Sequence, residues 1–244
     1  MKIALIGYGK MGKAIEQETE NWSDPLHPRP EIILRFHSRN RQDLVPENLR
    51  RADVAIEFTT PETAVENILK CFEAGIPVVC GTTGWQHRLP EVQERCKALN
   101  GTLFYASNFS IGVHVFFELN RLMARLMNTQ TQYDVRLYEI HHTEKKDAPS
   151  GTAITLAEEL IKIIDRKTKW VPPPASAPEE LEIQSIREKD VPGIHGVTYH
   201  SDIDTIEITH TAHSRRGFAL GALQAAMWVK GKKGIFGMKD LLSL

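Results

Sequence analysis

The chain opens on an alternation of short apolar runs with stretches whose apolar positions recur at helical spacing. Lys2-Ile3-Ala4-Leu5-Ile6 predicts a strand, and Lys10 to Glu20 a helix. Ile32 to Phe36 reads as a second strand and Asp53 to Phe58 as a third. Pro61 stands at the favoured first position of a helix that runs to about Ala74. Pro77 to Cys80 is a fourth strand, Pro90 to Leu99 a helix, and Thr102 to Tyr105 a fifth strand. Apolar runs without alternation fit strands buried on both faces. Helices between successive strands then give right-handed βαβ units and a parallel sheet.

The pattern changes after Ser110. Val113 to Met127 predicts a long amphipathic helix, Tyr133 to Ile140 a strand, and Thr152 to Ile164 a helix. The stretch from Trp170 to Pro178 contains PPPASAP and predicts an exposed loop, as does the segment 23–30 with its three prolines. Leu181 to Arg187, Gly196 to His200 and Thr205 to His210 follow as strands with no helix between them, which predicts a second sheet, mixed or antiparallel. Phe218 to Val229 is a helix of small residues and Met238 to Leu242 a short last one. The expected fold class is α/β, a Rossmann-like doubly wound parallel sheet followed by a second α+β domain with a mixed sheet.

Composition narrows the classes. Over 244 residues, 30 Lys+Arg against 31 Asp+Glu leave a net charge of −1, without the basic surplus of a nucleic-acid binder. Cys71, Cys80 and Cys96 are odd in number and lack CxxC spacing, which argues against a disulfide framework or a structural zinc site and for a reducing cytoplasm. The apolar run of MKIALIG is too short for a signal peptide, and no stretch approaches the ~20 apolar residues of a membrane span. A soluble cytoplasmic protein with no membrane partner is expected.

Chemistry enters first at Gly7-Tyr8-Gly9-Lys10-Met11-Gly12, which follows the first strand and opens a helix. This is the GxGxxG dinucleotide fingerprint in its required context. The first glycine permits the tight turn, the second lets backbone approach a pyrophosphate, and the third lets helix and strand pack closely. An NAD site commonly places an acid about 20 residues on, at the end of the second strand. Here that strand ends in Phe36-His37-Ser38-Arg39-Asn40-Arg41, and a hydroxyl beside guanidiniums suits a 2′-phosphate. The reading leans to NADPH and leaves NADH open; a solvated basic loop is the bland alternative. Gly81-Thr82-Thr83-Gly84 and Ala106-Ser107-Asn108-Phe109-Ser110 follow the fourth and fifth strands, so both turns fall on the carboxyl edge where ligands bind. Phe58-Thr59-Thr60-Pro61 shares that edge, though its threonines equally suit a helix cap.

The second chemical stretch is EIHHTEKKDAPSGTA, Glu139 to Ala153. Three readings compete: a metal site, a solvated charged loop, and a place where an anion is held and protonated. Adjacent His141 and His142 on a strand point to opposite faces and do not easily share a metal, and Lys145 and Lys146 would repel one. No resident metal is expected. A charged loop explains Glu144 and Lys146 but not Pro149-Ser150-Gly151-Thr152 directly before an apolar helix. Ser150 or Thr152 can cap that helix, and the same start presents free N–H groups to a carboxylate. Histidine donates a proton near neutral pH and lysine supplies a fixed charge.

The run Glu-x-His-His-x-x-Lys-x-Asp-Ala-Pro-Ser-Gly-Thr-Ala resembles the hallmark of the dihydrodipicolinate reductase family, 4-hydroxy-tetrahydrodipicolinate reductases of the diaminopimelate and lysine pathway. The resemblance extends through Gly7 to Gly12, Gly81 to Gly84, Asn108 to Val113, and Ser214-Arg215 ahead of Phe218-Ala219. It implies a Rossmann domain of residues 1–108 and 217–244, and a substrate-binding and oligomerisation domain of residues 109–216. It implies His141 as proton donor and Lys145 as second catalytic group. His142, Gly151, Thr152 and, with a looser match, Arg215 would bind a small cyclic dicarboxylate. NADPH or NADH would lie against Gly7 to Gly12, Gly81 to Thr83 and Ala106 to Phe109, and the assembly would be a homotetramer. Two departures bear on cofactor choice: the first glycine turn is one residue shorter than the commoner GxxGRMG form, and Ser38-Arg39 stand where an acid is often found.

Two rivals fit the first hundred residues equally well. Another Rossmann oxidoreductase acting on a small amino or keto acid leaves the second half unexplained. A non-catalytic dinucleotide sensor would have no use for the His-His…Lys loop.

Overall fold

The computed structural model describes residues 1–23 and 28–244, so part of the expected 23–30 loop lies outside the described residues. The chain divides into two compact units, residues 1–111 with 215–244, and residues 112–214. These seams place Phe109 and Arg215 in the first unit.

In chain order the first unit holds β1 (Lys2–Ile6), α1 (Lys10–Glu20), β2 (Glu31–Phe36), a 3-10 turn at Ser38–Asp43 and α2 (Pro46–Leu49). Next come β3 (Val54–Glu57), α3 (Pro61–Ala74), β4 (Val78–Cys80), a 3-10 turn at Gln86–Arg88, α4 (Leu89–Ala98) and β5 (Thr102–Tyr105). The chain then forms α5 (Ile111–Met127), β6 (Asp134–His141), α6 (Gly151–Ile163), β7 (Lys169–Val171), β8 (Glu180–Arg187), β9 (Gly193–His200) and β10 (Thr205–Ala212). It returns to the first unit with α7 (Arg216–Trp228), β11 (Gly234–Phe236) and α8 (Met238–Leu242).

The first unit is the expected parallel sheet, in the order β11-β5-β4-β3-β1-β2. Its apolar runs are continuous because both faces are covered. Ala4, Ile6, Ala55, Val78 and Cys80 face a core with Ile68 and Phe72 of α3 and Val92 of α4. Ile3, Leu5, Val54, Ile56 and Val79 face another with Ala219, Ala222, Leu223 and Ala226 of α7. The small residues of α7 allow close packing: a Cβ on Gly221 would lie 1.8 Å from the Phe109 carbonyl oxygen. The strand order turns back on either side of β1, which places a crevice outside the carboxyl ends of β1 and β3. The sequence pattern missed α2 and β11, each too short to show a period.

The second unit is a mixed sheet in the order β10-β9-β6-β8-β7. β9 runs antiparallel to both β10 and β6, while β6 and β7 lie parallel to β8. Val113, Phe116 and Phe117 of α5 and Leu156, Ala157 and Leu160 of α6 pack on Val135, Leu137, Ile183 and Val197 from the strands. One boundary matters for chemistry. The sequence pattern starts a strand at Gly196, but β9 begins at Gly193 and takes His195 into the sheet. Two glycines in Gly193-Ile194-His195-Gly196 lower strand propensity and mask those positions. The expected loop from Trp170 to Pro178 begins instead as a short edge strand, Lys169–Val171, and Glu180 gathers the rest by accepting from the N–H groups of Ser176 (2.7 Å) and Ala177 (3.3 Å). Among the described residues no helix is long and apolar enough to cross a membrane.

Candidate active site

In the first unit the glycine turn lies on the carboxyl edge of β1. Gly7 has φ +97°, and a Cβ there would lie 1.9 Å from the Phe58 carbonyl oxygen. On Gly12 a Cβ would lie 2.3 Å from the Gly7 carbonyl oxygen. These two glycines are demanded by the protein's own backbone. Gly9 has open space at the same position, so its lack of a side chain leaves room for something from outside. Gly9 gives α1 no side-chain cap, and a helix offers its own first-turn N–H groups no acceptor, the arrangement that suits an anion. Lys10 is exposed and Met11 half-buried there. The Tyr8 hydroxyl donates to Glu16, which also takes Arg35 Nε at 2.7 Å. A dinucleotide pyrophosphate fits this cradle.

The neighbouring loops are tied together from beneath. Glu57, fully buried at the end of β3, accepts from the Thr82 hydroxyl at 2.7 Å, from Thr59 Oγ1, and from Asn67 Nδ2 at 3.2 Å. Thr82 Oγ1 in turn accepts from the Thr59 N–H at 2.7 Å. Thr82 is thus a strut between the β3 and β4 loops, while Thr83 is exposed and Gly81 half-buried. Of the third turn, Ser107 is exposed, and Asn108 Oδ1 accepts from the Ser110 N–H at 2.8 Å. The Phe109 ring is core, 5.8 Å between centroids from both Phe58 and Phe104, so only its backbone is left to meet a ligand. Beyond β2, Ser38 and Arg39 are exposed; the Arg39 N–H donates to His37 Nδ1, and Arg41 is paired with Glu66.

In the second unit sheet register builds the site. Glu139 and His141 share one face of β6 by alternation. Glu139 is paired across the sheet with His195 of β9 on one side and Ser185 of β8 on the other. Arg187 is the β8 partner of His141. Glu139 is fully buried and accepts from the Ser150 N–H at 3.0 Å and the Ser185 hydroxyl at 2.8 Å. Its Oε2 lies 3.4 Å from His141 Nε2 and 3.6 Å from His195 Nε2, and Arg187 Nη1 lies 3.7 Å from Oε1. Burial pushes this carboxyl up, but His141, His195, Ser150 and Ser185 together outweigh it and hold the group well below the usual carboxylate range.

His141 Nε2 faces His195 Nε2 at 3.3 Å, and His141 Nδ1 lies 3.3 Å from the Pro192 carbonyl oxygen. A carbonyl only accepts, so Nδ1 carries the hydrogen and Nε2 is left facing His195 and Glu139. His195 Nε2 also lies 3.1 Å from Ser150 Oγ. Desolvation lowers the pKa of His195, against the raising effect of Glu139. A Cβ on Gly193 would lie 2.9 Å from His141 Cε1, so the glycine makes room for the ring.

The following loop carries Lys145, whose ammonium contacts both Asp147 oxygens at 2.9 and 2.8 Å. Arg187 fastens this loop to β8 through the carbonyls of Lys145 (3.2 Å) and Asp147 (2.6 Å). His142 Nδ1 is buried and has no partner among the described residues. Ser150 caps α6, its Oγ accepting from the Ala153 N–H at 3.2 Å. The Gly151 and Thr152 N–H groups lie in the first turn, where a helix offers them no acceptor, and a Cβ on Gly151 would meet open space.

β6, the loop after it and α6 therefore bring His141, His142, Lys145, Gly151 and Thr152 into one unit. Arg215 is exposed at the start of α7 and is not among the residues these elements gather. The sequence reading missed His195, Ser185 and Arg187, whose only signal is cross-strand pairing, and gave Glu139 no role. The donor atoms of Glu139, His141 and His195 lie close enough to bracket a cation. Each also has protein partners: Ser150 and Ser185 on Glu139, the Pro192 carbonyl on His141 and Ser150 Oγ on His195.

Comparison with known proteins bears on both units. The family model "Dihydrodipicolinate reductase, N-terminus" matches residues 33–109, and "Dihydrodipicolinate reductase, C-terminus" matches residues 112–242. The chain is 46% identical over 243 residues to a 4-hydroxy-tetrahydrodipicolinate reductase of Christiangramia forsetii, covering 100% of this chain and 98% of the relative. It is 35% identical over 267 aligned positions to the Neisseria gonorrhoeae protein of that name, with the same coverage. A dipicolinate-bound dihydrodipicolinate reductase from Paenisporosarcina sp. TG-14 shares the fold, with TM-score 0.71 at 21% identity over 98% of both chains.

Proposed function

This chain belongs to the dihydrodipicolinate reductase family, and on that premise we propose that it reduces 4-hydroxy-tetrahydrodipicolinate to tetrahydrodipicolinate, with loss of water, using NADPH or NADH. The pathway would be that of diaminopimelate and lysine. The observation that carries the reading is the unbroken run Glu139 to Ala153, which supplies a buried imidazole, a lysine and a capped helix start within one unit.

Loss of water from the hydroxylated ring leaves a conjugated acceptor, for which a bound reduced nicotinamide would supply the hydride. His141 then delivers the proton to the resulting enamine; a positioned general acid of this kind contributes about 10²–10⁴-fold. Lys145 steadies the dicarboxylate's charge. Its ammonium is paired with Asp147, so a substrate carboxylate takes the place of Asp147 as its partner. His142 Nδ1, buried and unpartnered among the described residues, and the Gly151 and Thr152 N–H groups hold a carboxylate. Arg215 is assigned to substrate by the family motif alone.

Gly7 to Gly12, Gly81 to Thr83 and Ala106 to Phe109 would hold the cofactor. NADPH is favoured over NADH because the exposed Ser38 and Arg39 suit a 2′-phosphate, while Arg41 is taken by Glu66. Cytoplasmic location and a homotetramer complete the proposal. Exposed Val115, Leu119, Leu122 and Leu126 on α5 and Ile203 beside the edge strand β10 support self-association.

The test is a steady-state assay. Oxidation of NADPH or NADH should depend on freshly made 4-hydroxy-tetrahydrodipicolinate, with no turnover of simple keto acids. Turnover of keto acids alone would sink the reading.

A further inference from the structure

His141 is not an isolated imidazole. Its Nδ1–H is spent on the Pro192 carbonyl, so its remaining nitrogen looks inward, at His195 Nε2 (3.3 Å) and Glu139 Oε2 (3.4 Å). A bare imidazole lone pair beside a buried carboxylate places two acceptors face to face with nothing between them. One proton on the facing Nε2 atoms removes that conflict, on either ring.

We propose that the acid of the reaction is the His141–His195 pair resting on Glu139, in which Glu139 is the fixed charge that keeps one proton in the pair and His195 is the positioning residue that shares it. The inference rests on the reductase reading above. Glu139 suits this role because four groups fasten it: the Ser150 N–H, the Ser185 hydroxyl and the two histidines. Burial penalises charge on His195. Ser150 Oγ, 3.1 Å from His195 Nε2, links the pair to the start of α6, where the substrate carboxylate is placed.

The other charged groups around the cluster come from several elements. β8 brings Arg187, 3.7 Å from Glu139, and the loop after β6 brings Lys145 already paired with Asp147. From β10, His210 faces His195, with His213 next along the chain. Arg187 and Lys145 both oppose a positive charge on the pair, so the protonated state depends on Glu139. In each turnover the pair gives one proton to the substrate and regains one from water. The hydride, with both electrons, comes from the reduced nicotinamide.

Two variants test this in the full-length protein, Glu139→Gln and His195→Asn. The first readout is the pH profile of kcat. Glu139→Gln removes the charge that retains the proton, so the alkaline limb moves to lower pH, by about 1 pH unit or more. His195→Asn lowers kcat by about 10-fold or more and moves the same limb, while KM for the cofactor stays unchanged. The second readout needs no substrate: NMR titration of the imidazole signals in the free protein, where the pair loses its proton at lower pH in Glu139→Gln than in the parent. An unmoved limb and an unmoved titration in both variants overturn the proposal, as does a fall in kcat with neither moved, since packing alone would do that. If Glu139→Gln does not fold, an unmoved limb in His195→Asn overturns it. A parent protein without reductase activity whose imidazoles still shift in Glu139→Gln sinks the reductase reading and keeps the coupled pair.

Discussion

The backbone N–H of Ser150 points between the two oxygens of Glu139, at 3.0 and 3.1 Å. The residue that caps α6 is thereby fastened to the carboxylate on which the two histidines rest. A single buried charge fixes the helix start and the imidazoles together, so displacement of one disturbs the other.

Removing either proposed catalytic group should separate chemistry from cofactor binding. His141→Gln and Lys145→Ala should each lower kcat by about 10²–10⁴-fold. Cofactor affinity, read by quenching of protein fluorescence, should stay as in the parent. Full activity in both would remove the assigned roles.

Gly193 tests positioning without touching a functional group. A Cβ there would lie 2.9 Å from His141 Cε1, and the ring is held on its other side by His195. Gly193→Ala should tilt the ring and cost about 10-fold or more in kcat. Unchanged turnover would mean that the ring has room to yield.

Arg39 tests the cofactor preference. A charge-assisted hydrogen bond to phosphate contributes about 1.5–3 kcal/mol. Arg39→Ala should therefore raise KM for NADPH by about 10-fold or more and leave KM for NADH nearly unchanged. Equal effects on both cofactors would take Arg39 out of 2′-phosphate recognition.

Glu180 gives a stability prediction with a defined sign. The Ser176 backbone N–H, Lys169 and the Ser176 hydroxyl lower its pKa to about 2 from an ordinary 4.5. A carboxyl with a depressed folded-state pKa adds stability that is complete above about pH 4.5 and is lost as pH falls toward about 2. Glu180→Gln should lower Tm at neutral pH, and the gap to the parent should narrow between those limits. Calorimetry across that range measures it; a constant gap would contradict the assigned pairing.

Much of the site is local in sequence and was legible there. Gly12 is fixed by the carbonyl of Gly7, five residues before it, and Ser150 by its place before an apolar helix. His141, His142 and Lys145 lie in one short run that offers two imidazoles and an ammonium. Arg41 illustrates the limit: adjacent to Arg39 in pattern, it is paired with Glu66 of α3. Such a pairing leaves no periodic trace.

The sequence by itself determined the parallel sheet, since unbroken apolar strands spaced by helices have no other way to bury both faces. It also determined the glycine cradle and the order of groups along Glu139 to Ala153. Only the tertiary structure decided what stands behind His141. His195 is 54 residues from His141, and Ser185 is 46 from Glu139. They meet because β9 and β8 flank β6 in one particular register. Register is set by which faces of all three strands can be buried at once, a condition no single stretch of chain contains.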